Sequence, residues 1–431
     1  HIPGNYYEPD FEDLALVMRD AFENYTDHKK RAIEEAKIIH RDFNWDNVAK
    51  IGLETLEDFM DNYVEPLPKP NTIHISYLDG PKVEILGDTE EEYKIEFIDG
   101  RNGNVVYKDT INNGMWTTCN KKYYIPWVIK INGEIVDTLN LENKSILLSL
   151  ESKSIGDTLA WSPYAVEFAK KHNCKVILST FHNEWFQGLA AYKDIEFVKP
   201  GSSTNCDIVY KIGWFKENEK WEAFDRNPNQ VNTIPLQQTA TDILGLEHKE
   251  LNLGIDFKPK KRPLRDKYIV IAPESTAGCK EWPRENWNVL VTLLKQLNYQ
   301  VVVLSKNEMN TPNATNHWNQ PFDVVANHLH HADLFIGLGS GLSWFNWALG
   351  KYTVMINGFA DKNHEFTSKT TRIMNETACT PCWTNPNFVF DPGDWNWCPI
   401  HKGTDKQFIC QKSITPGQVL QKIKQILINK N

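Results

Sequence analysis

Four cysteines near the C-terminus carry the most specific chemical signal in the chain. Cys379, Cys382, Cys398 and Cys410 follow the spacing C-x2-C-x15-C-x11-C. Four thiolates at loop spacing can close a tetrahedral site around zinc or iron; two disulfides are the alternative. Pro381, Pro386, Pro392, Gly393, Pro399 and Gly403 lie between them. They describe an irregular finger that cannot pack a core alone, so a metal would stand in for one. No open ligand position is evident, so the expected role is structural, and His401 is read as a non-ligand. Cys119, Cys174, Cys206 and Cys279 are scattered singly.

Three further stretches suit group transfer. Ile155-Gly156-Asp157-Thr158-Leu159-Ala160-Trp161 opens a helix after a strand. A carboxylate at a strand end, facing a cleft, can take a proton from an attacking hydroxyl; the local pattern alone favours the alternative, Asp157 as a helix N-cap. The stretch Ala272–Trp282 holds Ser275, Thr276, Ala277, Gly278 and Lys280 after another strand. Hydroxyls, a glycine and a lysine suit a diphosphate or sugar-phosphate, and Lys280 can neutralise a leaving nucleotide; the alternative is a solvated loop lysine. Gly337-Leu338-Gly339-Ser340-Gly341-Leu342-Ser343-Trp344 also links a strand to a helix. Its backbone N–H groups and helix dipole favour an anion, against the alternative of a tight structural turn. It lacks the Walker pattern and follows a late strand, which argues against a classical NAD fingerprint. Glu308, just beyond a strand, is placed to take ribose hydroxyls.

These residues need a scaffold, and the length of 431 residues supplies one. That length fits two or three domains. With 41% hydrophobic and 24% charged residues the composition is that of a globular protein, not a disordered or collagen-like chain. A net charge of −9 argues against a general nucleic-acid binder. No apolar run approaches the roughly 18–20 residues of a membrane span and no export signal opens the chain, so a cytoplasmic, reducing compartment is expected. The 15 tryptophans are divided between grooves or interfaces and plain core packing.

Residues 1–70 read as helices at Phe11–Glu23, His28–His40 and Val48–Phe59, with Asn44 or Asp46 as a cap. Pro66, Pro68 and Pro70 then form a stiff linker. From residue 71 to 150, short β runs with Asp79-Gly80, Asp99-Gly100, Asn102-Gly103 and Asn132-Gly133 turns predict a small antiparallel barrel or sandwich. From Ser145 strands and helices alternate. That rhythm predicts an α/β fold with two Rossmann-like domains facing a cleft, 151–262 and 263–431, the second including the finger 379–410.

Taken together, the motifs resemble the bacterial autotransporter heptosyltransferases, relatives of glycosyltransferase family 9. The resemblance is carried by G-D-T-x-A-W around Asp157, S-T-A-x-x-K-x-W from Ser275 to Trp282, and Gly339-Ser340-Gly341-Leu342-Ser343-Trp344. Gly358-Phe359…Glu365-Phe366, the finger from Cys379-Thr380-Pro381-Cys382-Trp383 to Phe408-Ile409-Cys410, and Ile414-Thr415-Pro416 extend it, so that it covers the chain from about Asn71 onward. The resemblance implies a GT-B fold and an inverting transfer of heptose from ADP-heptose to serine hydroxyls of an autotransporter adhesin. It further implies iron, with zinc as the alternative, at the four cysteines, and a large homo-oligomer. By position it makes Asp157 the general base. Thr276, Ala277 and Lys280 would hold diphosphate and sugar, and Glu308 the ribose. Gly339, Ser340, Gly341, Leu342 and Ser343 would bind phosphates through backbone and hydroxyl groups. A transferase acting on a saccharide, or a non-catalytic module that positions an acceptor, are the alternatives.

The first 70 residues depart from that family. Tyr7-Glu8-Pro9-Asp10 with Asp13-Leu14-Ala15, then Phe43-Asn44-Trp45-Asp46-Asn47-Val48-Ala49, resemble the end of a retaining GT-B glycosyltransferase. With His1 in place of a start methionine, this predicts the downstream part of a longer polypeptide. An ordinary helical extension after a tag remnant is the alternative.

Overall fold

The chain divides into two compact units, His1–Lys69 and Pro70–Asn431. The computed structural model describes residues 10–62, 67–217, 223–379, 381–391 and 393–428. His1, Tyr7, Glu8, Pro9, Pro66, Thr380 and Pro392 of the sequence reading lie outside them.

The first unit is three helices, α1 (Phe11–Glu23), α2 (Tyr25–Asp42) and α3 (Trp45–Asn62). Asp10 caps α1 by accepting from the N–H groups of Glu12 and Asp13 at 2.9 and 3.2 Å. Asn44, not Asp46, caps α3, accepting from the Asn47 N–H at 2.8 Å. No residue of these helices is buried, so their apolar positions are exposed within this unit.

The second unit begins with β1 (Thr72–Ser76), β2 (Lys82–Leu86), β3 (Glu92–Asp99), β4 (Asn104–Asn112), β5 (Trp116–Thr118), β6 (Trp127–Ile131) and β7 (Glu134–Thr138). They form antiparallel sheets ordered β1-β2-β5 and β4-β3-β6-β7. Val83 and Ile85 of one sheet share a core with Ile95, Phe97, Ile129 and Ile131 of the other, the sandwich that alternating burial demands. Asn132 and Gly133 both adopt positive φ (51° and 90°) between β6 and β7, the turn predicted for that pair.

Two parallel sheets follow. The N-terminal lobe contains β8 (Ser145–Leu150), α4 (Ile155–Trp161), α5 (Pro163–His172), β9 (Lys175–Ser179), β10 (Glu196–Val198), β11 (Ile208–Ile212) and α6 (Leu236–Ile243), with strand order β10-β9-β8-β11. Because β8 is a central strand of this sheet, the β sandwich ends before residue 145 rather than at 150. The C-terminal lobe contains β12 (Tyr268–Ile271), α7 (Arg284–Gln296), β13 (Gln300–Ser305), β14 (Thr315–Trp318), α8 (Phe322–His331), β15 (Leu334–Leu338), α9 (Gly341–Ala348), β16 (Thr353–Ile356), β17 (Thr370–Ile373), α10 (Ile409–Lys412) and α11 (Pro416–Ile428). Its order, β14-β13-β12-β15-β16-β17, places the strand-order reversal between β12 and β15. Ligands bind at such a reversal, beyond the C-terminal strand ends. Every residue of β12 and β15 is buried, as a parallel strand covered on both faces requires.

The lobes share one continuous core, in which Leu159 and Trp161 of α4 join Trp344 and Trp347 of α9. Trp127, Trp161, Trp185, Trp282, Trp287, Trp344, Trp347, Trp383 and Trp397 are all buried. Most tryptophans therefore pack cores; among the described residues Trp45, Trp116, Trp318 and Trp395 are the exposed ones. Among the described residues no helix is long and apolar enough to cross a membrane.

Candidate active site

The loops after β8, β12 and β15 meet where the lobes face each other. Two glycines make the close approach of α4 and α9 possible. A Cβ on Gly341 would lie 2.9 Å from the Cβ of Ile155, and one on Gly156 would lie 3.1 Å from Cδ1 of Trp344. The start of α4 is thereby pressed against the start of α9, with Asp157 one residue beyond Gly156.

Asp157 is not the helix cap. Ser154 occupies the cap position, and Asp157 sits in the first turn of α4. Its carboxylate accepts from Ser152 Oγ at 2.6 Å. Burial pushes its pKa up to about 6, although the Ser152 hydrogen bond, the Lys280 charge and the Ser154 hydroxyl all pull the other way. A carboxyl poised there can accept a proton near neutral pH.

Lys280 ends a short 3-10 turn, Gly278–Lys280, after β12. Its ammonium donates to the Gly339 carbonyl at 3.2 Å and lies 5.3 Å from the centre of the Phe359 ring. It joins the β12 and β15 loops across the strand-order reversal, and its charge is felt by Asp157, His364 and Glu365. It is thus no solvated loop lysine. Thr276 is exposed in the same loop, while Ala277 is buried and leaves only backbone to offer.

Gly339 needs its missing side chain. A Cβ there would lie 2.5 Å from Glu365 Oε1 and 2.8 Å from Asn357 Nδ2. Helix α9 then opens at Ser340 without a side-chain cap, which leaves its N-terminus to be satisfied by something else. Ser343 corrects the sequence reading. It is fully buried and its hydroxyl donates to the Leu338 carbonyl at 2.5 Å, so it closes the turn and is not offered to a phosphate. Glu308 stands exposed three residues past β13. The acid that orders this region is Glu274, whose carboxylate accepts from the N–H groups of Lys306 and Asn307 at 2.7 and 3.1 Å.

Beneath the glycine loop is a buried polar platform that the motifs did not assign. Glu365 pairs with Arg372 at 2.5 Å, both side chains being under a tenth exposed, and also accepts from Asn357. Burial raises the Glu365 carboxyl, but Arg372 and Lys280 outweigh it and hold its pKa below the usual carboxylate value. Burial drives His364 down to about 4, so it stays neutral. Its Nε2 accepts from Trp383 Nε1 at 2.9 Å and its Nδ1 donates to the Ile234 carbonyl at 3.1 Å. Removing one partner of a buried ion pair leaves the other charge uncompensated. Arg372→Ala is therefore expected to destabilise the protein by about 3–5 kcal/mol in urea or guanidinium unfolding. Pairing it with Glu365→Gln should recover part of the loss. A change under about 1 kcal/mol would show the platform to be solvated.

All eight cysteines are free. Among the described residues no three His, Cys, Asp or Glu side chains are grouped closely enough to hold a metal. The four predicted cysteines nonetheless share one neighbourhood. Burial, with Cys379 and Cys398 acting in the same direction, raises the Cys382 and Cys410 thiols to about 12. Mutual repulsion of thiolates is what a cation would relieve, so the donor chemistry suits a soft metal. The finger's aromatic side chains pack together with residues from outside it. Phe390 packs edge to face with Trp383 and Trp397, and Phe359, which comes from outside the finger, packs edge to face with Phe390 and Trp397 and stacks on Trp383. Trp383 further contacts Trp214 after β11, and its carbonyl accepts from Asn232, so the finger spans both lobes.

Residues 229–389 match the family described as Glycosyltransferase family 9 (heptosyltransferase). The chain is 33% identical over 353 residues to the autotransporter heptosyltransferase Aah of Escherichia coli, covering 76% of this chain and 87% of Aah. It is 31% identical over 372 residues to the corresponding protein BAHTCr of Citrobacter rodentium, covering 81% and 88%. Among solved structures it resembles dodecameric iron-containing heptosyltransferase TibC in complex with ADP-D-β-D-heptose, with TM-score 0.76 and 28% identity over 86% of this chain and all of that one. With two Rossmann-like lobes, joined loops after β12 and β15 and these relatives, the chain is a GT-B glycosyltransferase that belongs to glycosyltransferase family 9, among the autotransporter heptosyltransferases.

Proposed function

We propose that this chain transfers heptose from ADP-heptose, with inversion, to serine hydroxyls of a protein acceptor, an autotransporter adhesin. The observation that carries the reading is the facing of Asp157 and Lys280. A carboxyl raised to about 6 on one lobe lies within the field of an ammonium that bridges the nucleotide-type loops of the other. Asp157 takes the serine proton as the serine oxygen forms its bond to the anomeric carbon. The bond from that carbon to the diphosphate oxygen breaks on the opposite side, and ADP leaves. Lys280 and the uncapped start of α9, at Gly339, Ser340, Gly341 and Leu342, receive the charge that develops on the diphosphate. Thr276 offers a hydroxyl and Ala277 a backbone group to the same diphosphate, and Glu308 is assigned to the ribose.

The test is the intact mass of an adhesin passenger segment after incubation with ADP-heptose, GDP-sugars and UDP-sugars in turn. Increments of one heptosyl residue, with ADP-heptose alone, are expected. Transfer from a different donor would replace the sugar assignment, and no transfer from any donor would favour an acceptor-positioning role.

Cys379, Cys382, Cys398 and Cys410 are proposed to hold iron in a closed, structural site, and copies of the chain to assemble into a homo-oligomer, as TibC does. The ion would neutralise the crowded thiolates; it takes no part in the transfer. Elemental analysis is expected to give one iron per chain. Removing it should lower the melting temperature, because metal binding is coupled to folding of the finger. Absence of stoichiometric metal would end the four-cysteine assignment.

A further inference from the structure

The finger ends in α10, and the residue after Cys410 reaches back into the active site. Gln411 is fully buried. Its Nε2 donates to the Lys280 carbonyl at 2.7 Å, and its Oε1 accepts from the Gly358 N–H at 3.2 Å. Those partners flank the Lys280 ammonium: one is its own backbone, the other adjoins Phe359, the ring over which the ammonium lies. The fit is tight on the other side too, since a Cβ on Gly358 would lie 2.7 Å from the Cys410 carbonyl oxygen. One amide thus fixes the separation between the backbone that carries Lys280 and the surface on which its ammonium rests. Both bonds are made by a single planar group with one donor and one acceptor in use, and an apolar side chain would leave two buried backbone groups unpaired.

We infer that Gln411 is a positioning residue for donor cleavage: it holds Lys280 in register with Gly339 and so couples the C-terminal end of the cysteine finger to the nucleotide-type loops. This rests on the charge-stabilising role given to Lys280 above. Placement matters because a preorganised charge loses most of its effect when it must reorganise during the reaction.

The experiment is a double-mutant cycle on the full chain, with Gln411→Met, Lys280→Ala and the pair, read as kcat and KM for ADP-heptose. Gln411→Met is expected to lower kcat about tenfold or more with little change in KM, while bound metal per chain confirms an intact finger. Lys280→Ala should then cost far less in the Gln411→Met background than in the wild type, because the ammonium is already out of place. Effects that simply multiply, a wild-type kcat in Gln411→Met, or a loss that follows loss of metal would each overturn the inference. If Gln411→Met does not fold, Gln411→Asn carries the same cycle; it stays polar but is one methylene too short to reach both partners. A wild-type rate in Lys280→Ala alone would instead refute the role of Lys280, so the two failures are distinguishable.

Discussion

Asp157→Asn is expected to lose about 10²–10⁴-fold in kcat while unfolding at a higher temperature than the wild type. The two effects have one cause. The site removes the carboxyl from water, which raises its pKa from 3.8 to about 6. The folded state therefore binds this proton more tightly than the unfolded chain does. Stability from this group is present below pH 4 and is lost as pH rises through 6. At neutral pH the buried carboxylate thus destabilises the fold, by up to about 3 kcal/mol from a shift of this size. An amide has no charge to desolvate and can still accept from Ser152, so it relieves the penalty and removes the base together. Wild-type kcat/KM should rise with pH through about 6 as Asp157 ionises, and the residual activity of Asp157→Asn should lack that limb. Thermal melts at pH 7 and a pH–rate profile read both. A variant with wild-type turnover, or one that is dead and less stable, would contradict this account.

The scaffold was largely legible because its strands are short apolar runs bounded by turn residues. The alternation of strands and helices expected from Ser145 onward continues through α5 and β9. Helix α7 starts at Arg284, three residues before the apolar pattern begins at Trp287, because Pro283 and the polar first turn carry no core-facing residue. Asp157, Lys280 and Gly339, the residues proposed for the site, could be picked out from local sequence, since each lies in a loop or first helical turn after a strand of a parallel sheet. Their supports could not. Glu274 acts on backbone 32 and 33 residues away, and Gln411 on backbone 131 residues away, so neither has a local pattern. Ser343 was misread for the opposite reason. Its hydroxyl has a local use, the Leu338 carbonyl, that becomes visible only when the turn closes. The finger's aromatic core was missed because Phe359, which completes it, lies 20 residues before Cys379. The reading of residues 1–70 as the end of an upstream transferase rests on motifs alone.

Lys280→Ala is expected to lower kcat by about 10²–10³, the usual effect of deleting one preorganised stabiliser of developing charge. The magnitude follows from where the ammonium is held. Gly339 and Phe359 fix it against the loop that faces the start of α9, so it need not move when negative charge grows on the departing diphosphate. A positive charge that serves the ground state and the transition state equally would change KM alone. The diphosphate bears most new charge only as its bond to the sugar breaks, so the loss should fall on kcat. A second signature separates this role from simple misfolding. Lys280 lowers the Asp157 pKa, and without it burial acts less opposed. The acid limb of the pH–rate profile should therefore move to higher pH in Lys280→Ala, while Lys280→Arg, though cationic, should not restore the rate, because its delocalised guanidinium does not reproduce the compact point charge of the ammonium. A loss confined to KM, or an acid limb that stays in place, would show that Lys280 binds the donor without assisting its cleavage, and would leave the helix N-terminus after Gly339 as the stabiliser of the leaving group.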